Sequence, residues 1–440
     1  MEVSLFDILQ AREQRVQLQQ KLLQKYRYPL ICFTMNIAGP IKNTPLIQRG
    51  FRAGIDALQE CLPKEALIHH SFDSDKTGNT AMLVVKSDAA DLKQLCVQIE
   101  ETHPLGRLFD MDVMDVTGKK LERSTQRSCL VCGAPGRACA AGRVHSVELL
   151  QNVTNQMLTK YFLELDSEYI ANCAVAALID EVNTTPKPGL VDRRNSGSHK
   201  DMNLSHFIAS AHALFPYFAK CVRIGHDTAD AAPEDTFRFL RAEGIEAEKT
   251  MFAATGGINT HKGAIYTLGI LCGSIGRLWK PEKAVAKTAH LLEECSKIAH
   301  KAVETDFAKA DGSTAGQTLY LKYGLKGIRG EIAAGLPSVS KIALPCYQRA
   351  LNSGLSSNDA GVVTLMSLIA NVQDTNLYHR GGMEGAKWAA STARELAATN
   401  YDCLLSQAEG LDDAFIQRNL SPGGCADLLA LTYFLHTLLI

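Results

Sequence analysis

An excess of charge of either sign is absent from this chain. Its 46 lysines and arginines face 47 aspartates and glutamates, a formal net charge of −1. That balance excludes the basic footprint by which nucleic-acid binders neutralise phosphates. Long hydrophobic runs are missing as well. The best candidate, ADLLALTYFLHTLLI at the C-terminus, contains Asp427 and His436 and is shorter than the roughly 20 residues that a bilayer demands. A buried helix is expected there. The first residues, MEVSLFDILQAREQR, carry acids within seven positions and no apolar h-region, so no secretory signal is expected. There is no internal repeat and no low-complexity segment. With 46% hydrophobic and 21% charged residues, the chain reads as a soluble globular protein, expected in the cytoplasm, with neither nucleic acid nor membrane as partner. Its thirteen cysteines then read as reduced thiols, with any cluster considered for metal.

At 440 residues the chain exceeds one ordinary core, and two domains are expected. A helix over residues 4–27 precedes YPLICFTMNI, a strand running into the Gly39-Pro40 turn. HSFDSDKTGNTAMLVVKS reads as a strand entered from a turn, LKQLCVQIEETHP as a helix and GRLFDMDVMDVTG as a further strand. This order predicts a small α+β or α/β unit with a mixed sheet over residues 1–150. From about residue 145 the periodicity is helical. The runs are VELLQNVTNQMLTKYFLEL, EYIANCAVAALIDEV, SHFIASAHALFPYFAKCV, GAIYTLGILCGSIGRLW, AVAKTAHLLEECSKIAHKAV, AGVVTLMSLIANV and the C-terminal stretch. An all-α domain is therefore expected over 165–440, the boundary falling between 145 and 170.

Chemistry concentrates at three places. In GRLFDMDVMD, strand alternation puts Phe109, Met111 and Val113 on one face and Asp110 and Asp112 on the other. Two carboxylates so placed make a magnesium cradle, or simply the wet side of an amphipathic strand. Arg107 directly precedes them, and Asn36 and Lys42 flank the Gly39-Pro40 turn, where a lysine can meet a triphosphate. Cys129, Cys132, Cys139 and His145 follow, with a spacing that suits tetrahedral zinc or free thiols ordering a linker.

In the second half, TTPKPGLVDRRNSGSHKD over residues 184–201 is a long polar loop, either a solvated linker or a cradle for a phosphorylated ligand and its magnesium. Other polar, glycine-rich loops abut helix N-termini: Gly256–Gly263 with Asn259, His261 and Lys262; Ser357–Asp359; Asp374–Asn376; His379–Gly382 with Arg380; and Asn419–Gly424, with Ser421 as N-cap. Helix N-termini attract phosphates. Ser313–Gln317 and Arg329–Gly335 add more such positions. So many in one helical domain imply a pocket of converging loops around a polyanion.

The stretch from about 170 onward resembles triphosphoribosyl-dephospho-coenzyme A synthase, on EVNTTPKPGLVD, GGINTHKGAIYTLG, STAGQ, RGEIAAGLPSV, LSSNDAGVVTLMSLIANVQDTNLYHRGG and NLSPGGCADLLALTYFL. Residues 1 to about 150 resemble apo-citrate lyase phosphoribosyl-dephospho-coenzyme A transferase, on DILQAREQR, MNIAGPIK, GRLFDMDVMD and RSCLVC with its following histidine. The resemblance implies a nucleotidyltransferase-like first domain and two consecutive reactions. ATP and 3′-dephospho-coenzyme A would yield triphosphoribosyl-dephospho-coenzyme A and adenine. Phosphoribosyl-dephospho-coenzyme A would then pass to a serine of the citrate lyase acyl carrier (gamma) subunit, with loss of pyrophosphate. Cleaving ribose from adenine needs a carboxylate and a proton for the leaving base. Asp192, Glu331, Asp359 and Asp374 are the expected carboxylates. Lys187, Arg193, His261, Lys262 and Arg380 are expected on the triphosphate with magnesium screening it, Asn259 and Ser421 beside the substrate, and Asn36, Lys42 and Arg107 on the phosphates of the first site. The alternatives are the same chemistry on a malonate decarboxylase carrier, or a zinc-binding, nucleotide-sensing adaptor without catalysis.

Overall fold

The computed structural model describes residues 2–282 and 285–439. The chain divides into two compact units, Met1–Glu164 and Leu165–Ile440.

In the first unit the elements run α1 (Leu5–Tyr26), β1 (Leu30–Met35), α2 (Pro45–Cys61), β2 (Leu67–Asp75), β3 (Gly78–Val85), α3 (Ala89–Thr102), β4 (Phe109–Met114) and α4 (Gly136–Ala141). The sheet order is β2-β3-β1-β4, and every neighbouring pair is antiparallel. This corrects the expected mixed sheet. Helix α2 does join two strands of like direction, β1 and β2, but β3 inserts between them with opposite sense. β1 likewise lies between β3 and β4, which α3 connects. The segment expected to be one strand at residues 70–87 is a hairpin. Its first arm, LIHHSFDSD, is polar and largely exposed at the sheet edge, so it carries no hydrophobic run to mark it. The covered face gathers Phe33, Phe51 and Phe109, with Phe33 stacked on Phe51 at 4.8 Å and edge-on to Phe109 at 5.3 Å.

Helix α5 (Val147–Asn183) contains the division between the units. Two separate helices were expected there because LDSE interrupts the apolar runs. The polar residues are instead accommodated inside: Asp166 and Ser167 are buried, and Asp166 accepts a hydrogen bond from the Trp279 indole at 2.8 Å. The second unit continues with α6 (Leu204–Ala213), α7 (Phe215–Asp227), α8 (Pro233–Thr255), α9 (Lys262–Leu278), α10 (Thr288–Ala308), α11 (Ala315–Tyr323), α12 (Gly327–Ala333), α13 (Leu344–Asn352), α14 (Ser357–Asn371), α15 (Thr375–Ala397), α16 (Tyr401–Gln417) and α17 (Gly423–Leu439). SHFIASAHALFPYFAKCV, expected as one helix, breaks at Leu214. Pro216 cannot sit in a helix interior but fits the first turn of α7. Two residues of expected helices, Ala284 and Ile440, lie outside the described residues.

Helix α9 is the axis of this unit, buried at nearly every position from Ala264 to Gly276. It crosses α7 through glycines. A Cβ on Gly276 would stand 1.9 Å from the Val222 carbonyl oxygen, and one on Gly225 2.0 Å from that of Gly273. Only glycine allows backbones to approach so closely. The core around α9 includes Phe218, Leu268, Leu271, Leu365, Phe415 and Phe434, and the functional loops sit at the ends of these helices.

Candidate functional sites

The first unit holds a cavity of about 1080 Å³. Strand β4 sets its floor: Phe109, Met111 and Val113 are wholly buried, while Asp110 and Asp112 are half-exposed, and both aspartates line the cavity. Lys120 pairs with Asp112 at 2.6 Å, and Arg127 stands 3.9 Å from Asp110. Desolvation, reinforced by the neighbouring charge of Asp112, pushes the Asp110 carboxyl above its ordinary value. Around the pair stand seven basic side chains, Lys93, Arg107, Lys120, Arg123, Arg127, Arg137 and Arg143, against four acids, Glu100, Glu122 and the two aspartates. The buried Glu100 orders part of this set. It accepts from the Met111 N–H at 2.7 Å and pairs with Arg123 at 2.9 Å. The Nε atoms of Arg123 and Arg127 are buried without a partner, leaving donors for an anion.

Of the residues expected here, Asn36, Arg107, Asp110 and Asp112 line the cavity, Arg107 with its guanidinium on the Ser128 carbonyl. Lys42 is elsewhere. Its ammonium bonds the Ile37 carbonyl, because the Gly39-Pro40 turn folds it back on its own strand end. Lys93, Lys120, Arg123 and Arg127 were missed, since their positions reveal nothing until β4 and the loop after it come together. Cys129, Cys132, Cys139 and His145 converge at the rim, their ligand atoms all within 4.8 Å of one another. N–H groups of Cys132 and Val131 pull the Cys129 thiol down to about 6.

In the second unit the polar loop over 184–201 is no solvated linker. Lys187 is 1% exposed and Asp192 3%. Asp192 staples the loop, accepting from the N–H groups of Lys187, Arg194 and Asn195 at 3.0, 2.7 and 3.1 Å. Lys187 donates to the Glu181 carboxylate and, at 2.7 Å, to the Glu181 carbonyl. The loop then closes on the segment before α17. Ser198 donates to the Leu420 carbonyl at 2.6 Å, and His199 meets Ser421 at 2.9 Å. Arg380 donates to the Ser198 carbonyl at 2.9 Å and to His199 Nδ1 at 3.2 Å. Since arginine only donates, His199 carries its proton on Nε2 and gives it to Ser421 Oγ.

These contacts bring the 184–201, 256–263, 374–380 and 419–424 segments around one cavity of about 490 Å³. Of the expected residues, Lys187, Asn259, His261, Lys262, Arg380 and Ser421 line it. His261 is 3% exposed. Its Nδ1 bonds Ser210 at 2.8 Å, while its Nε2 is buried without a partner. Burial and the Lys187 charge lower its pKa to about 3, so the ring is neutral and offers hydrogen bonding instead of charge. Three acids outside the expected set, Glu181, Asp201 and Asp427, also line the cavity. Desolvation, then the charges of Glu181 and Asp374, drive the Asp427 carboxyl far above its usual range.

Four expected carboxylates stand apart from this cavity. Glu331 and Asp374 line an adjoining one of about 450 Å³, which shares Ile328, Thr375 and Gly424 with it. Glu331 is engaged by the Ser338 N–H and hydroxyl. Asp374 caps α15 through Asn376 and Leu377 and ties down α17 through the Cys425 N–H at 2.8 Å. Asp192 and Asp359 line none of these cavities; Asp359 accepts from Ser356, the cap of α14. Arg193 is turned to Thr185 and Asn358. Ser421 Oγ accepts from His199, and α17 begins at Gly423.

Comparison with known proteins gives matching results for each half. Residues 167–439 match the family model described as ATP:dephospho-CoA triphosphoribosyl transferase. Residues 3–161 match that of apo-citrate lyase phosphoribosyl-dephospho-CoA transferase. Protein CitXG of Haemophilus influenzae is 36% identical, covering 98% of this chain and 96% of its own. Protein CitXG of Leuconostoc mesenteroides subsp. cremoris is 34% identical, covering 99% and 97%. A probable 2-(5''-triphosphoribosyl)-3'-dephosphocoenzyme-A synthase of Vibrio cholerae is 42% identical over 61% of this chain and 88% of its own. With both transferase families matched in one polypeptide and full-length relatives of the same make-up, the chain belongs to the CitXG family.

Proposed function

We propose that this chain makes the citrate lyase prosthetic group in its helical unit and attaches it in its first unit. The protein is a transferase with ATP and 3′-dephospho-coenzyme A as substrates. In the cavity bounded by Lys187, His261, Arg380 and Asp427, the 2′-hydroxyl of dephospho-coenzyme A replaces adenine on the ribose of ATP. The departing base needs a proton, and Asp427, held neutral by its surroundings, is the residue to give it. Glu181, which lines the same cavity and is paired with Lys187, faces the positive charge that develops on the ribose. Lys262 and Arg380 hold phosphate oxygens. His261 Nε2 binds substrate as a neutral partner.

In the first unit, Asp110 and Asp112 carry out the second transfer. Two carboxylates on one strand face, amid cationic walls, fit Mg2+ by donor type and number. The ion would neutralise charge on the pyrophosphate that leaves. Lys120 and Arg127, already against the two aspartates, are placed to receive phosphates, and the free Arg123 and Arg127 Nε donors to bind them. The acceptor is a serine on the acyl carrier subunit of citrate lyase.

The observation that carries the reading is the unpartnered, buried His261 Nε2 in a cavity formed by four separate polar loops. Buried polar atoms are ordinarily satisfied, and one left open inside a cavity points to a ligand. The test is a mass spectrum of the carrier after incubation with this protein, Mg2+, ATP and 3′-dephospho-coenzyme A. A gain equal to phosphoribosyl-dephospho-coenzyme A is expected, and an unmodified carrier contradicts the reading.

A further inference from the structure

The loop between β4 and α5, residues 115–146, has little regular structure. Among its described residues only α4, six residues long, and two isolated bridges, Met114 to Lys120 and Ser128 to Pro135, are regular. Yet it forms the wall of the larger cavity and supplies Arg123 and Arg127. An irregular wall of this size with no core of its own calls for another source of order.

Within it, Cys129–Cys132 form a tight turn. Cys129 N–H donates to the Ala134 carbonyl at 2.6 Å, Gly133 N–H returns to the Cys129 carbonyl at 3.2 Å, and Val131 N–H points at Cys129 Sγ at 3.5 Å. Gly133 takes φ +73°, which lets the chain reverse. Helix α4 then delivers Cys139, whose Sγ lies 3.5 Å from that of Cys132, and His145 follows with Nε2 3.3 Å from Cys132 Sγ. For zinc with bonds of about 2.3 Å to sulfur and 2.0 Å to nitrogen, tetrahedral edges are about 3.5–3.8 Å. The two Cys132 contacts are near such edges, and the four ligand atoms lie within 4.8 Å of one another, near enough to close around one ion.

We infer that Cys129, Cys132, Cys139 and His145 bind one Zn2+ that fixes the cavity wall. Four protein ligands complete a tetrahedron and leave no position for water, so the role is structural. Binding displaces the thiol protons, leaving three thiolates and the imidazole on the metal. From the site the order passes directly to the reacting strand. Ser128, beside Cys129, accepts from Arg107 through its carbonyl. Arg127 reaches the carbonyls of Gly106 and Phe109 at 2.9 and 2.6 Å, which holds its guanidinium near Asp110.

The test is elemental analysis of tag-free, full-length protein purified without chelator. About one zinc per chain is expected, falling to a small fraction in Cys132→Ser and unchanged in Cys403→Ser, whose cysteine is remote in sequence from the cluster. Should Cys132→Ser fail to fold, the wild-type protein decides. A mercurial thiol reagent should release the zinc stoichiometrically into a colorimetric chelator. Absence of stoichiometric zinc, or a Cys132–Cys139 disulfide found by mass spectrometry in freshly isolated protein, overturns the assignment. Zinc-stripped protein should also lose carrier modification while still releasing adenine. That last readout alone rests on the proposed function; the metal count stands or falls without it.

Discussion

Gly263 leaves room for Asp427. A Cβ at Gly263 would stand 2.0 Å from Asp427 Oδ2, so the first turn of α9 and the start of α17 meet only because one of them has no side chain. The close approach presses a carboxyl group into the wall of the loop-lined cavity. Replacing Gly263 with alanine should displace Asp427 and lower adenine release at least 10-fold, while carrier modification from supplied triphosphoribosyl-dephospho-coenzyme A persists. Assaying the two half-reactions separately checks this.

Asp427→Asn removes the proposed proton donor directly. Loss of a positioned general acid costs about 10²–10⁴-fold, and adenine release should fall within that range. The decisive feature is the split between constants: kcat should drop much more than KM rises. A KM effect alone would mark Asp427 as a binding group.

The same substitution has a signature in stability. Burial raises the folded-state pKa of Asp427 above its unfolded value. The folded protein therefore holds a proton that the unfolded chain gives up, and stability drains away as pH rises from the unfolded value toward the folded one. Asparagine does not titrate. The melting temperature of Asp427→Asn should exceed that of wild type near neutral pH, and the difference should shrink or reverse near pH 4. Thermal scans across that range measure it, and a difference independent of pH would contradict the assignment.

Asp110→Asn combined with Asp112→Asn should abolish carrier modification and leave adenine release within about 2-fold of wild type, since both aspartates line the first unit's cavity and neither lines that of the second. Loss of both activities in the double variant would argue against separable sites.

His261→Ala should weaken substrate binding by about 2- to 10-fold, since a neutral hydrogen bond contributes about 0.5–1.5 kcal/mol net. The loss should not vary between pH 6 and 9, because the imidazole is already neutral throughout. Equilibrium dialysis with ATP checks it.

How much of this was legible in the sequence depended on the range of the interaction. Asp110 and Asp112 could be read because a strand alternates every second residue, and the structure keeps that alternation. Lys187, His261 and Arg380 stood out as polar residues in loops, and their loops do meet. Glu181 and Asp427 escaped notice because they sit inside apolar helices, where an acid reads as a solvated face; only the packing of α5, α9 and α17 shows that they face a cavity. Asp192 and Asp374 were read as chemistry and are found stapling backbone N–H groups. A carboxylate in a polar loop does either job, and the sequence carries nothing to separate them. The sheet direction failed for a related reason. The pairing partner of a strand is a long-range choice, and β3 inserts between the two strands that α2 connects.

Adenine release tests the central claim most directly. Wild-type protein with Mg2+, ATP and 3′-dephospho-coenzyme A should liberate one free adenine for each triphosphoribosyl-dephospho-coenzyme A formed, measured by chromatography without any carrier present. No adenine from folded, magnesium-supplied protein, or release that vanishes in the Asp110→Asn, Asp112→Asn variant and survives in Asp427→Asn, would contradict the account.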